Sequence, residues 1–185
     1  MRRVKISPGF WALLAMVWAL EPALLGPTLL AAFCHELGHC AALQLTGSGV
    51  EQLKLSFVGA ELVPKRPLSY AAELPTALAG PGVSLLCAFL AARWGFFLFA
   101  GLSLALGLFN LLPIHPLDGS RALQSLCALI LSPTWAQRLP KWLGVVTAGL
   151  LLGVAIRVFL RLGGLSLLAL ALWLCHKSVR ALLDG

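Results

Sequence analysis

Long apolar runs, rather than alternation, set the pattern of this chain. Six of them lie at about residues 8–20, 23–45, 71–92, 95–112, 142–160 and 163–182. A helix that crosses a bilayer needs about 20 mostly apolar residues, so each run predicts a membrane helix, the first of them short. Pro113 ends the fourth. Two segments break the pattern. Residues 47–70 open with Gly47-Ser48-Gly49, and Leu53-Lys54-Leu55-Ser56-Phe57 then alternates as a strand does. Gly59 turns the chain into a second short strand, Ala60 to Val63, stopped by Pro64. This predicts a small hairpin at the membrane surface. Residues 119–131 carry Arg121, Gln124 and Ser125 on one side and leucines elsewhere, which predicts a short interfacial helix. The expected fold class is an all-α membrane protein: about six transmembrane helices with a small membrane-associated β-hairpin between the second and third.

Composition supports that solvent. The hydrophobic fraction is 59% and the charged fraction 11%, against about a quarter charged in soluble domains. The net charge of +7 lies mostly between apolar blocks, at Lys65, Arg66, Arg138, Lys141, Lys177 and Arg180. No basic run is long enough to suggest nucleic acid. Placing the N-terminus inside also puts Arg2, Arg3, Lys5, Lys54 and Arg121 on the cytoplasmic side, and leaves Arg93, Arg157 and Arg161 outside. That bias predicts a multi-pass cell-membrane protein with both termini in the cytoplasm. Trp11, Trp94, Trp135 and Trp142 fall near helix ends, where an aromatic belt belongs. The N-terminal run has no small-residue cleavage site and is broken by Glu21-Pro22, so it reads as a retained helix, not a signal peptide. Five cysteines without a C-x-x-C pair read as small buried hydrophobes.

His35-Glu36-Leu37-Gly38-His39 adds chemistry to the second run. Two histidines four residues apart share one helix face and can hold one metal. Glu36, beside them, can take a proton from a water that the metal activates. Three ionisable groups in one turn of a membrane helix cost several kcal/mol unless paired or metal-bound. A catalytic zinc takes three protein ligands. Asp118 is the expected third, because Pro113 and Pro116 break the chain before it and free its carboxylate from helix geometry. Its plainer role is to cap the helix at 119–131, and it could do both. His115 is a rival ligand, read instead as an interfacial or supporting group. Asn110 could bind a substrate backbone or an oxyanion, or make a helix–helix hydrogen bond. The charge bias brings residues 35–39 and the end of the fourth helix to the same cytoplasmic depth.

The pairing of His35-Glu36-Leu37-Gly38-His39 with Asn110-x-x-Pro113-x-x-Pro116-Leu117-Asp118-Gly119 resembles the site-2 protease family of zinc intramembrane metalloproteases. It looks most like the sporulation branch, the stage IV sporulation protein FB type that processes pro-sigma-K. The resemblance covers about residues 5–130, the expected catalytic core, with two further helices at about 142–182 in a single domain spanning 1–185. It implies one zinc per chain on His35, His39 and Asp118, Glu36 as catalytic base, and substrate handling by Asn110. It also implies that the hairpin with Gly59 offers a strand edge to an unwound substrate. The chain departs from the family at Gly80-Pro81-Gly82-Val83-Ser84, where serine replaces a frequent asparagine, and at Val58-Gly59, where two glycines are frequent. Residues 47–70 are too few for a PDZ domain, and no CBS domain is expected.

The expected function is zinc-dependent intramembrane proteolysis of a membrane-associated substrate, such as a pro-sigma or anti-sigma factor. The expected partners are that substrate and the bilayer, with a homo-oligomer also compatible. The alternative is a non-catalytic membrane protein that binds or transports metal.

Overall fold

The computed structural model describes residues 3–56, 59–163 and 165–183. Phe57 and Val58 of the expected hairpin, Arg2 among the expected cytoplasmic charges, Gly164 in the expected sixth helix, and Asp184 lie outside the described residues. The chain divides into two compact units, residues 1–109 and 110–185.

The first unit holds a three-stranded sheet and four helices. Strand β1 (Arg3–Ile6) leads into α1 (Pro8–Leu20) and α2 (Pro22–Leu45). Gly47 and Gly49, with φ of +74° and +66°, supply the left-handed backbone that turns the chain from α2 into β2 (Val50–Ser56). β3 (Gly59–Pro64) pairs antiparallel with β2, and Lys54 stands opposite Glu61, their side chains 3.5 Å apart. The Ser48 hydroxyl donates to the Arg66 carbonyl at 2.8 Å and closes the base of the hairpin. β1 was not expected. It pairs parallel with β2, giving the order β1-β2-β3, so the expected hairpin is the larger part of a three-stranded sheet. The alternation Val4-Lys5-Ile6 is too short to be recognised as a strand before its partner is known.

Helices α3 (Tyr70–Arg93) and α4 (Phe97–Asn110) complete this part of the chain. The buried face of α3 is Thr76, Ala77, Gly80, Pro81, Ser84, Ala88 and Ala91. All are small, which lets a neighbouring backbone approach closely. α2 uses that room. A Cβ on Gly38 would lie 2.6 Å from the Ala79 carbonyl oxygen and 2.9 Å from a Val83 methyl.

The second unit begins where α4 ends. Residues 111–117 form a loop with a cis peptide bond between His115 and Pro116. Ile114 is fully buried in it and Leu117 nearly so. Then come α5 (Asp118–Ile130), α6 (Pro133–Leu162) and α7 (Leu165–Leu183). α5 matches the expected interfacial helix within a residue at each end, but not in its faces. Ser125 is buried with Ala122 and Cys127, while Leu126, Leu129 and Ile130 are exposed. The leucine face is outward, as lipid rather than water would favour. α6 begins nine residues before the expected start. Its first turns contain Gln137, Arg138 and Lys141, which an apolar-run criterion assigns to a loop, and Pro133 stands in its first turn where proline is tolerated.

Among the described residues three helices are long and apolar enough to cross a membrane: Tyr70–Arg93, Thr134–Leu162 and Leu165–Leu183. Large apolar side chains such as Phe89, Leu150, Val154 and Leu160 are exposed along them.

Candidate metal centre

α2 buries Ala31, His35, Gly38, His39 and Leu43, one face at a three-and-four spacing. Both imidazoles therefore leave the helix toward α3. Their Nε2 atoms lie 3.2 Å apart. Two nitrogens of a tetrahedral zinc site, each about 2.0–2.1 Å from the metal, stand roughly 3.3 Å from one another. The pair fits the ion it was expected to hold.

The far nitrogens fix this orientation. His39 Nδ1–H donates to the Thr76 carbonyl at 2.8 Å, so its Nε2 carries a lone pair. His35 Nδ1 lies 2.9 Å from the Ser84 hydroxyl. A hydroxyl can donate or accept. Accepting from Nδ1–H leaves His35 Nε2 bare as well. The α3 sequence makes this cradle. Pro81 has no N–H to offer the Ala77 carbonyl of the turn before it. Gly80 lacks the Cβ that would fall on the His39 ring. Thr76 and Ser84 were not singled out as site residues from the sequence. The signal was present as Thr76, Gly80 and Ser84, small residues at four-residue spacing on a helix beside the histidines.

Glu36 follows His35 on α2 and is half-buried. Gly59 opens β3 opposite Ser56. Asp118 and Asn110 belong to the second unit. Asn110 is the half-buried last residue of α4. Asp118 is buried, with 8% of its surface exposed. Leu117 rather than Asp118 stands at the N-cap of α5, without a side-chain cap bond, and Asp118 is the first residue of the helix. The carboxylate thus sits in the positive field of a helix N-terminus. Arg121 Nη1 approaches its Oδ1 at 3.3 Å. Two glycines hold the segment before it. A Cβ on Gly119 would strike the Leu111 carbonyl, and one on Gly144 of α6 would lie 2.9 Å from the Pro113 carbonyl oxygen. Helices α5 and α6 therefore both pack against the backbone of the loop that leads to Asp118. His115, exposed in this loop, has its pKa lowered by partial burial and then by the charges of Lys177 and Lys141.

The structure aligns with the site-2 protease of Methanocaldococcus jannaschii at a TM-score of 0.72, over 98% of this chain and 92% of that one, with 20% sequence identity. The chain has a site-2 protease fold. The profile of Peptidase family M50 matches residues 88–154. No curated protein matches the chain. The M50 match includes Asn110, Pro113 and Asp118 but stops short of the histidine motif at 35–39. Asp118 thus lies within the matched segment and the His35–His39 pair outside it.

Proposed function

We propose that the chain is a zinc intramembrane endopeptidase of the site-2 protease family. The observation that carries this reading is the His35–His39 pair, with ring nitrogens at zinc-ligand spacing and both opposite nitrogens held by α3. His35, His39 and Asp118 would hold one zinc. Bound zinc would polarise the scissile carbonyl and acidify a water. Glu36 accepts a proton from the attacking water and returns it to the leaving amine. Ser84 and the Thr76 carbonyl keep both histidines in the ligating tautomer. Asn110 holds the substrate backbone, and the sheet beginning its last strand at Gly59 receives an extended substrate segment by strand addition. A membrane helix must unwind before its peptide bonds are open to water, which is why such an edge is needed.

The reading extends to six membrane spans with both termini in the cytoplasm and the active site in the cytoplasmic half. The substrate we infer is a membrane-associated regulator of the pro-sigma or anti-sigma kind, as in the sporulation branch that the paired motifs resemble. Glu36→Gln tests the chemistry. In proteoliposomes it should keep one zinc per chain while cleavage of a co-reconstituted single-span substrate falls below detection. Cleavage retained in this variant removes Glu36 as the base, and no cleavage by the zinc-loaded wild type removes the protease reading.

A further inference from the structure

The second unit contains a cavity of about 180 Å³ that the proposed chemistry does not use. Its polar lining is His115 from the loop, Ser120 and Gln124 one turn apart on α5, Gln137 and Lys141 one turn apart on α6, and Ser178 on α7. No carboxylate lies among these described residues. Lys141 therefore brings a positive charge to a pocket without a countercharge, and Lys177 stands close enough to act on His115 as well.

Ser178 is the informative member. It is 2% exposed, and its hydroxyl has no hydrogen-bond partner. Hydroxyls in membrane helices commonly bond the carbonyl four residues back. Thr76 and Thr147 do so in this chain, each at 2.8 Å. Ser178 does not, so a buried donor is left for whatever enters the cavity. Ammonium, hydroxyl and amide donors around a space without carboxylates suit an oxyanion with several acceptor oxygens. The size narrows the class. The cavity is well above the ~10–15 Å³ that admits one water and below the roughly 300–1,000 Å³ of sites for drug-sized ligands. A phosphate group fits that range better than a whole nucleotide.

Its position indicates the source. The lining residues of α6 and α7 lie at the start of one helix and the end of the other, the polar end of an antiparallel pair. Trp135 and Trp142 are exposed at that end, at 63% and 57%. Lys177 lies over the Trp173 ring, 5.8 Å from its centroid. Exposed tryptophans and lysines mark the depth of lipid headgroups. We infer that this cavity is a binding site for the headgroup phosphate of an anionic phospholipid, held by Lys141 and Ser178. The site stands whether or not the chain is a protease.

The test uses the full chain in nanodiscs of phosphatidylcholine, with or without phosphatidylglycerol, and reads co-retained lipid by native mass spectrometry. The wild type should keep one phosphatidylglycerol per chain. Lys141→Gln should lower its retention roughly fivefold, and the near-isosteric Ser178→Ala about tenfold. Arg138→Gln removes a charge from the same helix end but not from the cavity, and should leave retention unchanged. Equal losses in Lys141→Gln and Arg138→Gln would mean diffuse surface attraction and overturn the site. So would wild-type retention in Ser178→Ala, which decides the matter if Lys141→Gln does not fold. A second arm adds inorganic phosphate to phosphatidylcholine discs. Thermal stabilisation of the wild type that Ser178→Ala abolishes, together with no phosphatidylglycerol retained by the wild type, would assign the pocket to the free ion and overturn the lipid.

Discussion

A neutral imidazole ligates a cation through Nε2 only while its Nδ1 keeps the proton, and Ser84 is the group placed 2.9 Å from Nδ1 of His35 to hold it there. Supporting hydrogen bonds of this kind are worth about 10–100-fold in metal affinity. Ser84→Ala should therefore weaken zinc binding by that factor, measured by competition with a chelator, while the chain still folds. Unchanged affinity would show that α2 alone orients the ring. Thr76 makes the contrasting case. His39 donates to its backbone carbonyl, and the Thr76 hydroxyl is turned to the Ala72 carbonyl. Thr76→Ala keeps the acceptor and should leave zinc affinity within about twofold of wild type, since the supporting bond survives. Two buried polar residues on one helix face thus separate in outcome, because one acts through its side chain and the other through its main chain.

At the scale of the elements, the site depends on how closely α2 and α3 approach. Gly38 and Gly80 are the positions where a methyl group has no room, whereas Gly82 on the same helix α3 has nothing within 4 Å. Overpacking of this sort costs roughly 1–3 kcal/mol. Gly38→Ala should lower the melting temperature, and Gly80→Ala should in addition reduce bound zinc by displacing the His39 ring. Gly82→Ala should do neither. Equal behaviour of Gly80→Ala and Gly82→Ala would mean that the helices separate freely. The same elements show what the sequence could reveal. The helix cores of α2, α3 and α5 were legible because apolar length and proline punctuation are local signals. The H-E-x-x-H spacing was legible because helix geometry alone puts both imidazoles on one face. Strand β1 was not, since four residues become a strand only by pairing with β2. The support from Ser84 was not, because that hydrogen bond joins residues 49 positions apart. The start of α6 was not, because its polar first turns look like a loop to any hydropathy criterion.

For the whole molecule, helix length and charge bias bear on the number of spans from different sides. At 1.5 Å per residue, the 13 residues of α1 and 14 of α4 reach only about 20 Å, less than the ~30 Å hydrocarbon core. α2 is long enough, but His35, Glu36 and His39 interrupt its apolar stretch. Six crossings therefore require the bilayer to thin around α1 and α4, or their polar flanks to reach the interface. The charge bias accords with six crossings nonetheless: they put Lys54, Lys65, Arg66, Arg121, Arg138, Lys141, Lys177 and Arg180 on one side, with Arg93, Arg157 and Arg161 on the other. Reporter fusions decide between the two. Alkaline phosphatase should be active when fused at Glu21, Gly95 or Gly163, and a fluorescent protein should fold and emit at Gly47, Ser132 or Gly185. If α4 does not cross, the reporters at Gly95 and Ser132 will give the same sign. Phosphatase activity at Ser132 would also move the Asp118 segment, and with it the proposed active site, away from the cytoplasmic side.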